Sequence, residues 1–151
     1  TYRRLAEHAL EKLVPSLPVL GGAGWTASRP LPGGDLGPGG FDSAVARLRA
    51  HAPFLSADDA WRLVRNYGTL AWEIVGTARN RADLGEDFGG GLTAREVDYL
   101  VAQEWAVTAE DILWRRSRQG LHIDGAGQAR LERYLDARRE AVRDSRSAMA
   151  G

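Results

Sequence analysis

From Phe41 onward apolar residues recur at three- and four-residue spacing, the period of an α-helix, with little of the strict alternation that marks a half-buried strand. The pattern predicts an all-α core. Val45 and Leu48 define a first helix that Asp42 or Ser43 can cap and that Pro53 closes near Ala52. Ser56-Ala57-Asp58-Asp59 sets a hydroxyl three residues before an acid, as in a capping box, and opens a helix presenting Trp61, Val64 and Tyr67. Gly68-Thr69 interrupts it, after which Leu70, Trp72, Ile74 and Val75 resume a helical face to about Ala82. Residues 85–91 read as a loop. Thr93-Ala94-Arg95-Glu96 repeats the capping-box spacing before Val97, Leu100, Val101 and Trp105. Thr108-Ala109-Glu110-Asp111 has a similar spacing before Ile112 and Leu113, and Gly120 stops that helix. A last helix runs from about Gly127 through Leu131, Tyr134, Leu135 and Val142, and the tail 145–151 is expected to fray.

Ahead of this core, Leu5, Ala9 and Leu13 repeat at helical spacing, so residues 2–14 read as one helix ended by Pro15. It is too short to stand alone in water. Between Pro15 and Gly40, 13 of 26 residues are Gly or Pro, a density that breaks both helix and central strand. This irregular arm still carries Leu17, Val19, Leu20, Trp25 and Leu31, which are expected to lie along another surface. The chain thus divides into a linker helix with a Gly/Pro-rich arm, residues 1–40, and a small helical bundle or orthogonal helical domain, residues 41–151.

Length and composition narrow what such a chain does. With 151 residues, 44% hydrophobic and 26% charged, it suits one globular domain with a real core, and two unrelated catalytic domains would not fit. Twenty basic residues balance twenty acidic ones, so no global field gathers nucleic acid or anionic membrane. Nineteen of the basic residues are Arg, in keeping with a GC-rich bacterial gene. The lack of cysteine excludes disulfides, thiolate zinc sites and thiol catalysis, and a reducing cytoplasm is compatible with it. No stretch approaches the roughly 20 apolar residues of a membrane span. The start at Thr1, without a signal-type apolar run, reads as an internal piece of a longer protein.

Candidate chemistry is sparse. His8, His51 and His122 fall in three different elements at no metal-ligand spacing, and neither Gly21-Gly22-Ala23-Gly24 nor Gly89-Gly90-Gly91 sits between a strand and a helix as a phosphate cradle would. Adjacent acids such as Glu86-Asp87 and Glu110-Asp111 point apart and cannot flank one bond. No catalytic, cofactor-binding or metal-binding residue is therefore assigned. The richest segment is 96–116. Asp111 and Arg115, four apart, share a helix face, and Glu104 is close enough in sequence to meet Arg115 or Arg116. Trp105 and Trp114 can cover such a clamp and bury it. A rival reading takes residues 94–118 as a helix-turn-helix, making the chain a stand-alone DNA- or protein-binding module. Glu110 and Asp111 at the start of the second helix, which phosphates would repel, argue against DNA.

The same residues resemble a known family. Tyr99-Leu100-Val101 through Glu104-Trp105-Ala106, then Thr108-Ala109-Glu110-Asp111-Ile112-Leu113-Trp114-Arg115-Arg116 and Gly120-Leu121, are similar to the strongest motif in the C-terminal helical domain of FAD-dependent glycerol-3-phosphate dehydrogenases. Where that family continues Thr-Lys-Leu-Gly-Leu, this chain has Ser117-Arg118-Gln119-Gly120-Leu121. Arg65-Asn66-Tyr67-Gly68-Thr69 resembles the family's Tyr-Gly-Thr turn, Pro30-Leu31-Pro32-Gly33-Gly34-Asp35 its linker, and Thr1-Tyr2-Arg3 the end of a segment near the flavin. The resemblance implies a parent enzyme that oxidises sn-glycerol 3-phosphate to dihydroxyacetone phosphate with FAD and passes electrons to a quinone. It implies, too, a cytoplasmic parent, peripheral on the inner membrane, whose fingerprint and substrate-binding residues lie upstream of this chain. The piece itself is then expected to be inactive and without cofactor, metal or nucleic acid. Its partner is the parent's flavin and substrate domain, with a homodimer contact a further option.

Overall fold

The computed structural model describes residues 2–16 and 25–149. Among them helix predominates: α1 (Tyr2–Leu13), α2 (Gly40–His51), α3 (Ala57–Tyr67), α4 (Ala71–Val75), α5 (Ala94–Gln103) and α6 (Gly125–Met149), with a short π-helix at Asp111–Arg116. The expected helical core is present. It is sealed by Leu48 of α2, Val64 of α3, Val75 of α4, Val97 and Leu100 of α5, Ile112 of the π-helix and Leu131 of α6, each at most 2% exposed. Each such apolar side chain contributes roughly 1.5–3 kcal/mol by leaving water.

Local signals explain where several elements start. Ser56 caps α3, its Oγ accepting from the Asp59 amide at 3.0 Å while its hydroxyl donates to the Asp59 carboxylate at 2.8 Å. Asp124 caps α6, Oδ1 accepting from the Gly127 amide at 2.7 Å, which is why α6 begins two residues before the position expected from its apolar spacing. The helix also continues to Met149, where fraying was expected; serines 145 and 147 bond back to the carbonyls of Val142 and Arg143. Gly127 lets α6 close on the strand below it, since a Cβ there would stand 2.1 Å from the Phe88 carbonyl oxygen.

Four local expectations are corrected. Neither Asp42 nor Ser43 caps α2; Gly39, at φ 112, precedes it, and the Ser43 hydroxyl instead accepts from Arg47. The helix expected from Leu70 to Ala82 stops at Val75, because Gly76 turns the chain at φ 56. Residues 85–91 are not merely a loop: β1 (Asp87–Gly89) pairs antiparallel with β2 (Leu92–Thr93) around Gly90 and Gly91, both at positive φ, and this hairpin buries Phe88 and Leu92 completely. Finally, α5 ends at Gln103 and leaves Trp105 outside it at φ 56.

The N-terminal part behaves differently. No residue of α1 is buried, and Tyr2 and Leu5 are 90% and 67% exposed. Pro15 sits within a short 3₁₀ turn, Val14–Ser16, that follows α1. Of the arm's apolar residues, Leu17, Val19 and Leu20 and the side chain of Trp25 lie outside the described residues, as does Thr1. Leu31 does not lie down on the domain but is 82% exposed, whereas Leu36 packs against the core.

Candidate functional site

The polar centre of the domain is built around Glu96, whose side chain is 1% exposed. It sits in the first turn of α5, between Thr93, the residue that precedes the helix, and Val97. Thr93 makes no side-chain cap, so the second capping box is not formed. Its acid has turned inward. Arg62 of α3 grips both carboxylate oxygens at 2.7 Å, and the Tyr67 hydroxyl donates to Oε1 at 2.7 Å. Arg62 also donates to the Gly91 carbonyl in the hairpin turn at 2.8 Å. With its amide oxygen toward Arg62, Gln119 accepts from that guanidinium at 3.1 Å and donates to the Gly90 carbonyl at 3.2 Å. One buried carboxylate thus ties α3, the hairpin, α5 and the turn after the π-helix.

Electrostatics fix the protonation of this cluster. Burial pulls the Arg62 guanidinium down, but the bonds and charge of Glu96 outweigh it and hold Arg62 above its ordinary value. Burial, then the charge and hydrogen bond of Glu96, push the Tyr67 phenol well above its own, so it remains a neutral donor. Both Glu96 oxygens are engaged by Arg62 and Tyr67. A second bridge lies at its edge, where Arg81 donates to Asp59 at 2.8 Å and to Asp87 at 2.6 Å. The arrangement holds elements in place.

The Asp111–Arg115 pair forms, at 2.5 Å, but on the surface: the Arg115 side chain is 57% exposed and also reaches Glu110 at 2.9 Å. Glu104 meets Arg116 through its backbone carbonyl, which accepts from Nε at 2.9 Å, and not through its carboxylate. Nor do the tryptophans cover the clamp. Trp105 is 84% exposed, and Trp114 lies over Gly120, where a Cβ would come within 2.5 Å of the indole. Asp111 acts chiefly as a cap, its Oδ2 accepting from the amides of Val107 and Thr108 and from the Thr108 hydroxyl, while Thr108 Oγ1 accepts from the Asp111 amide. Those amides hold the Asp111 carboxyl well below the usual carboxylate range.

The sign of that shift gives a prediction. A depressed folded-state value means that Asp111 adds stability above the ordinary carboxylate range, near pH 4, and loses it as pH falls through the lower folded value. Asp111→Asn should therefore flatten the acid limb of a stability–pH profile while lowering the neutral melting temperature far less than Glu96→Ala does. An equally steep acid limb in the variant would remove Asp111 from this role.

Tyr67-Gly68-Thr69 also has a definite place. Tyr67 ends α3 and enters the buried cluster, while the Thr69 amide donates to the Gly33 carbonyl at 2.9 Å. The backbones of Gly33 and Gly68 touch: a Cβ on Gly68 would stand 1.8 Å from the Gly33 oxygen, and one on Gly33 would stand 2.3 Å from the Tyr67 oxygen. The two segments singled out separately in the sequence, the Pro-Leu-Pro-Gly-Gly linker and the Tyr-Gly-Thr turn, thus lock together. Residues 94–118 are no helix-turn-helix, because the second helix is a six-residue π-turn closed by a return from the Ser117 amide to the Ile112 carbonyl.

Sequence reasoning missed Arg62 and Gln119 and misread Glu96 as a cap. The available signal for Glu96 was its position four residues before Leu100, on the face that α5 buries.

Comparison with known proteins agrees with this architecture. The chain is 47% identical over 137 residues to glycerol-3-phosphate dehydrogenase of Pseudomonas aeruginosa, covering 91% of this chain and 26% of that protein. It is 44% identical over 135 residues to the aerobic glycerol-3-phosphate dehydrogenase of Escherichia coli K12, with 89% and 26% covered. It is 38% identical over 136 residues to the D-erythritol 1-phosphate dehydrogenase of Brucella abortus, with 90% and 27% covered. The chain spans about a quarter of the length of these curated relatives. A family model for the C-terminal domain of alpha-glycerophosphate oxidase matches residues 24–143, and the chain belongs to that family.

Proposed function

We propose that this chain is the non-catalytic C-terminal helical domain of an oxidoreductase that converts sn-glycerol 3-phosphate to dihydroxyacetone phosphate. The observation that carries this reading is the match over about nine-tenths of the chain to glycerol-3-phosphate dehydrogenases about three and a half times its length. The interior is in keeping with a structural role, since Glu96, Arg62 and Tyr67 bind one another. The expected cofactor of the parent is FAD, with electrons leaving to a quinone. The described glycine run here does not fit a nucleotide: Gly89-Gly90-Gly91 turns a hairpin, and a Cβ on Gly90 would meet Gln119 at 2.9 Å and His122 at 3.0 Å. Flavin binding and hydride chemistry are therefore attributed to the larger remainder of the parent.

The partner of this domain is that remainder. Tyr2, Leu5, Leu10 and Leu13 leave α1 with exposed apolar groups along its length and nothing buried, as suits a helix that packs on a preceding domain. No described helix is long and apolar enough to cross a membrane. A cytoplasmic parent resting on the inner membrane through surfaces outside this chain fits that. The test is a dye-linked assay with added FAD. The 151-residue chain should turn over neither sn-glycerol 3-phosphate nor D-erythritol 1-phosphate, while the product of the complete gene should oxidise the former faster. Turnover by the chain alone would refute the non-catalytic assignment, and preference of the complete enzyme for the erythritol phosphate would refute the substrate.

A further inference from the structure

An open groove of about 450 Å³ lies between α3 and the turn that follows the π-helix. Trp61, Arg65 and Asn66 line it from α3, and Arg118 and His122 line it from that turn. Asp58 is the one acid in its lining. Arg62 also reaches it, but its charge is committed to Glu96. Arg65, Arg118 and His122 belong to no ion pair among the described residues. The groove therefore carries net positive charge in a chain whose formal net charge is zero.

The two arginines reach the groove in different ways. The Arg65 guanidinium lies over the Trp61 ring, 5.1 Å from its centroid, which fixes it without neutralising it. Arg118 stands at φ 56, a left-handed position that glycine occupies freely and an arginine side chain only at a cost. Its side chain makes no hydrogen bond within the described residues that would offset that cost. The wall behind them is firm, because Gln119 is buried and bonded to Arg62 and Gly90, and Gly90 lets His122 approach closely.

Two guanidinium forks and the Asn66 amide offer more donors than the two oxygens of a carboxylate can use, whereas the oxygens of a phosphate monoester can accept them in pairs. We propose that this groove is a binding site for the phosphate group of a small phosphomonoester. The proposal stands on the groove alone and does not depend on the dehydrogenase reading.

The test follows the Trp61 indole and the Arg65 and Arg118 side-chain resonances of the 151-residue chain by NMR. Inorganic phosphate and glycerol 2-phosphate are titrated at constant ionic strength. Saturable shifts confined to these groups, with millimolar affinity, are expected. Arg118→Gly should weaken binding at least fivefold while keeping or raising the melting temperature, since glycine suits the backbone there. Arg65→Gln should weaken binding to a similar degree, and Arg49→Gln, on α2, should leave it unchanged. No saturation below 50 mM, or equal shifts with sodium chloride, would overturn the proposal. Binding to phosphatidic acid vesicles without a response to either soluble phosphate would overturn it too, in favour of a membrane surface.

Discussion

Glu96→Ala is expected to destabilise the chain by about 3–5 kcal/mol, the cost of leaving a buried arginine without its counter-charge. Arg62 is held at 2.7 Å by both oxygens of a carboxylate that is 1% exposed, and its own side chain is only 16% exposed, so water cannot readily replace the lost partner. Tyr67 loses its acceptor in the same step, adding an unsatisfied buried hydroxyl. Glu96→Gln should fall between alanine and the native residue, because the amide keeps one acceptor for Arg62 but loses the charge. The double change Arg62→Met with Glu96→Leu should recover a good part of the loss, since a buried ion pair is stabilising mainly relative to half of itself. Urea unfolding of the four proteins decides the matter. A loss below 1 kcal/mol for Glu96→Ala would mean that the pair is solvated and that the centre of the domain is held by apolar packing alone.

How much of this was legible in the sequence follows from the range of each interaction. Caps are local, and two of them were readable as written: Ser56 before α3, and Thr108 with Asp111 before the π-helix. Thr93 and Glu96 have the same spacing, yet there the acid turns inward, because its partner Arg62 lies 34 residues away and no local pattern announces it. The hairpin was missed for a related reason. Phe88 and Leu92 are separated by three glycines and show no alternation, although two adjacent glycines at positive φ are what a tight turn between strands requires. The Asp111–Arg115 pair was found, but its burial was not: the tryptophans that were to cover it were placed by sequence proximity. A left-handed residue at 105 and the Gly120 contact of Trp114 carry both elsewhere. The family resemblance was legible in the same segment, since a motif survives where its packing cannot be read.

Gly68→Ala is the second large effect, expected at about 2–4 kcal/mol. Position 68 has φ 57 and ψ −129, a conformation open to glycine, and forcing a side chain there costs about 1–3 kcal/mol. The new Cβ would also stand 1.8 Å from the Gly33 oxygen, driving the linker off α3 and breaking the Thr69–Gly33 bond, a further loss of about 1 kcal/mol. Gly37→Ala serves as the comparison, because Gly37 also has a positive φ, 74, while the nearest atoms to its added Cβ, on the Arg47 guanidinium, are 3.8 Å away. Gly68→Ala should therefore melt several degrees below Gly37→Ala, and only Gly68→Ala should speed hydrogen exchange at the Thr69 amide and protease cleavage in residues 28–36. Equal melting temperatures and an unchanged Thr69 amide would show that the linker is not locked at this point. If the lock holds, its role is directional. The arm is fastened to the helical domain at Gly33, and again where Arg47 donates to the Leu36 carbonyl at 2.7 Å. The two fastenings fix where the arm leaves the helical domain.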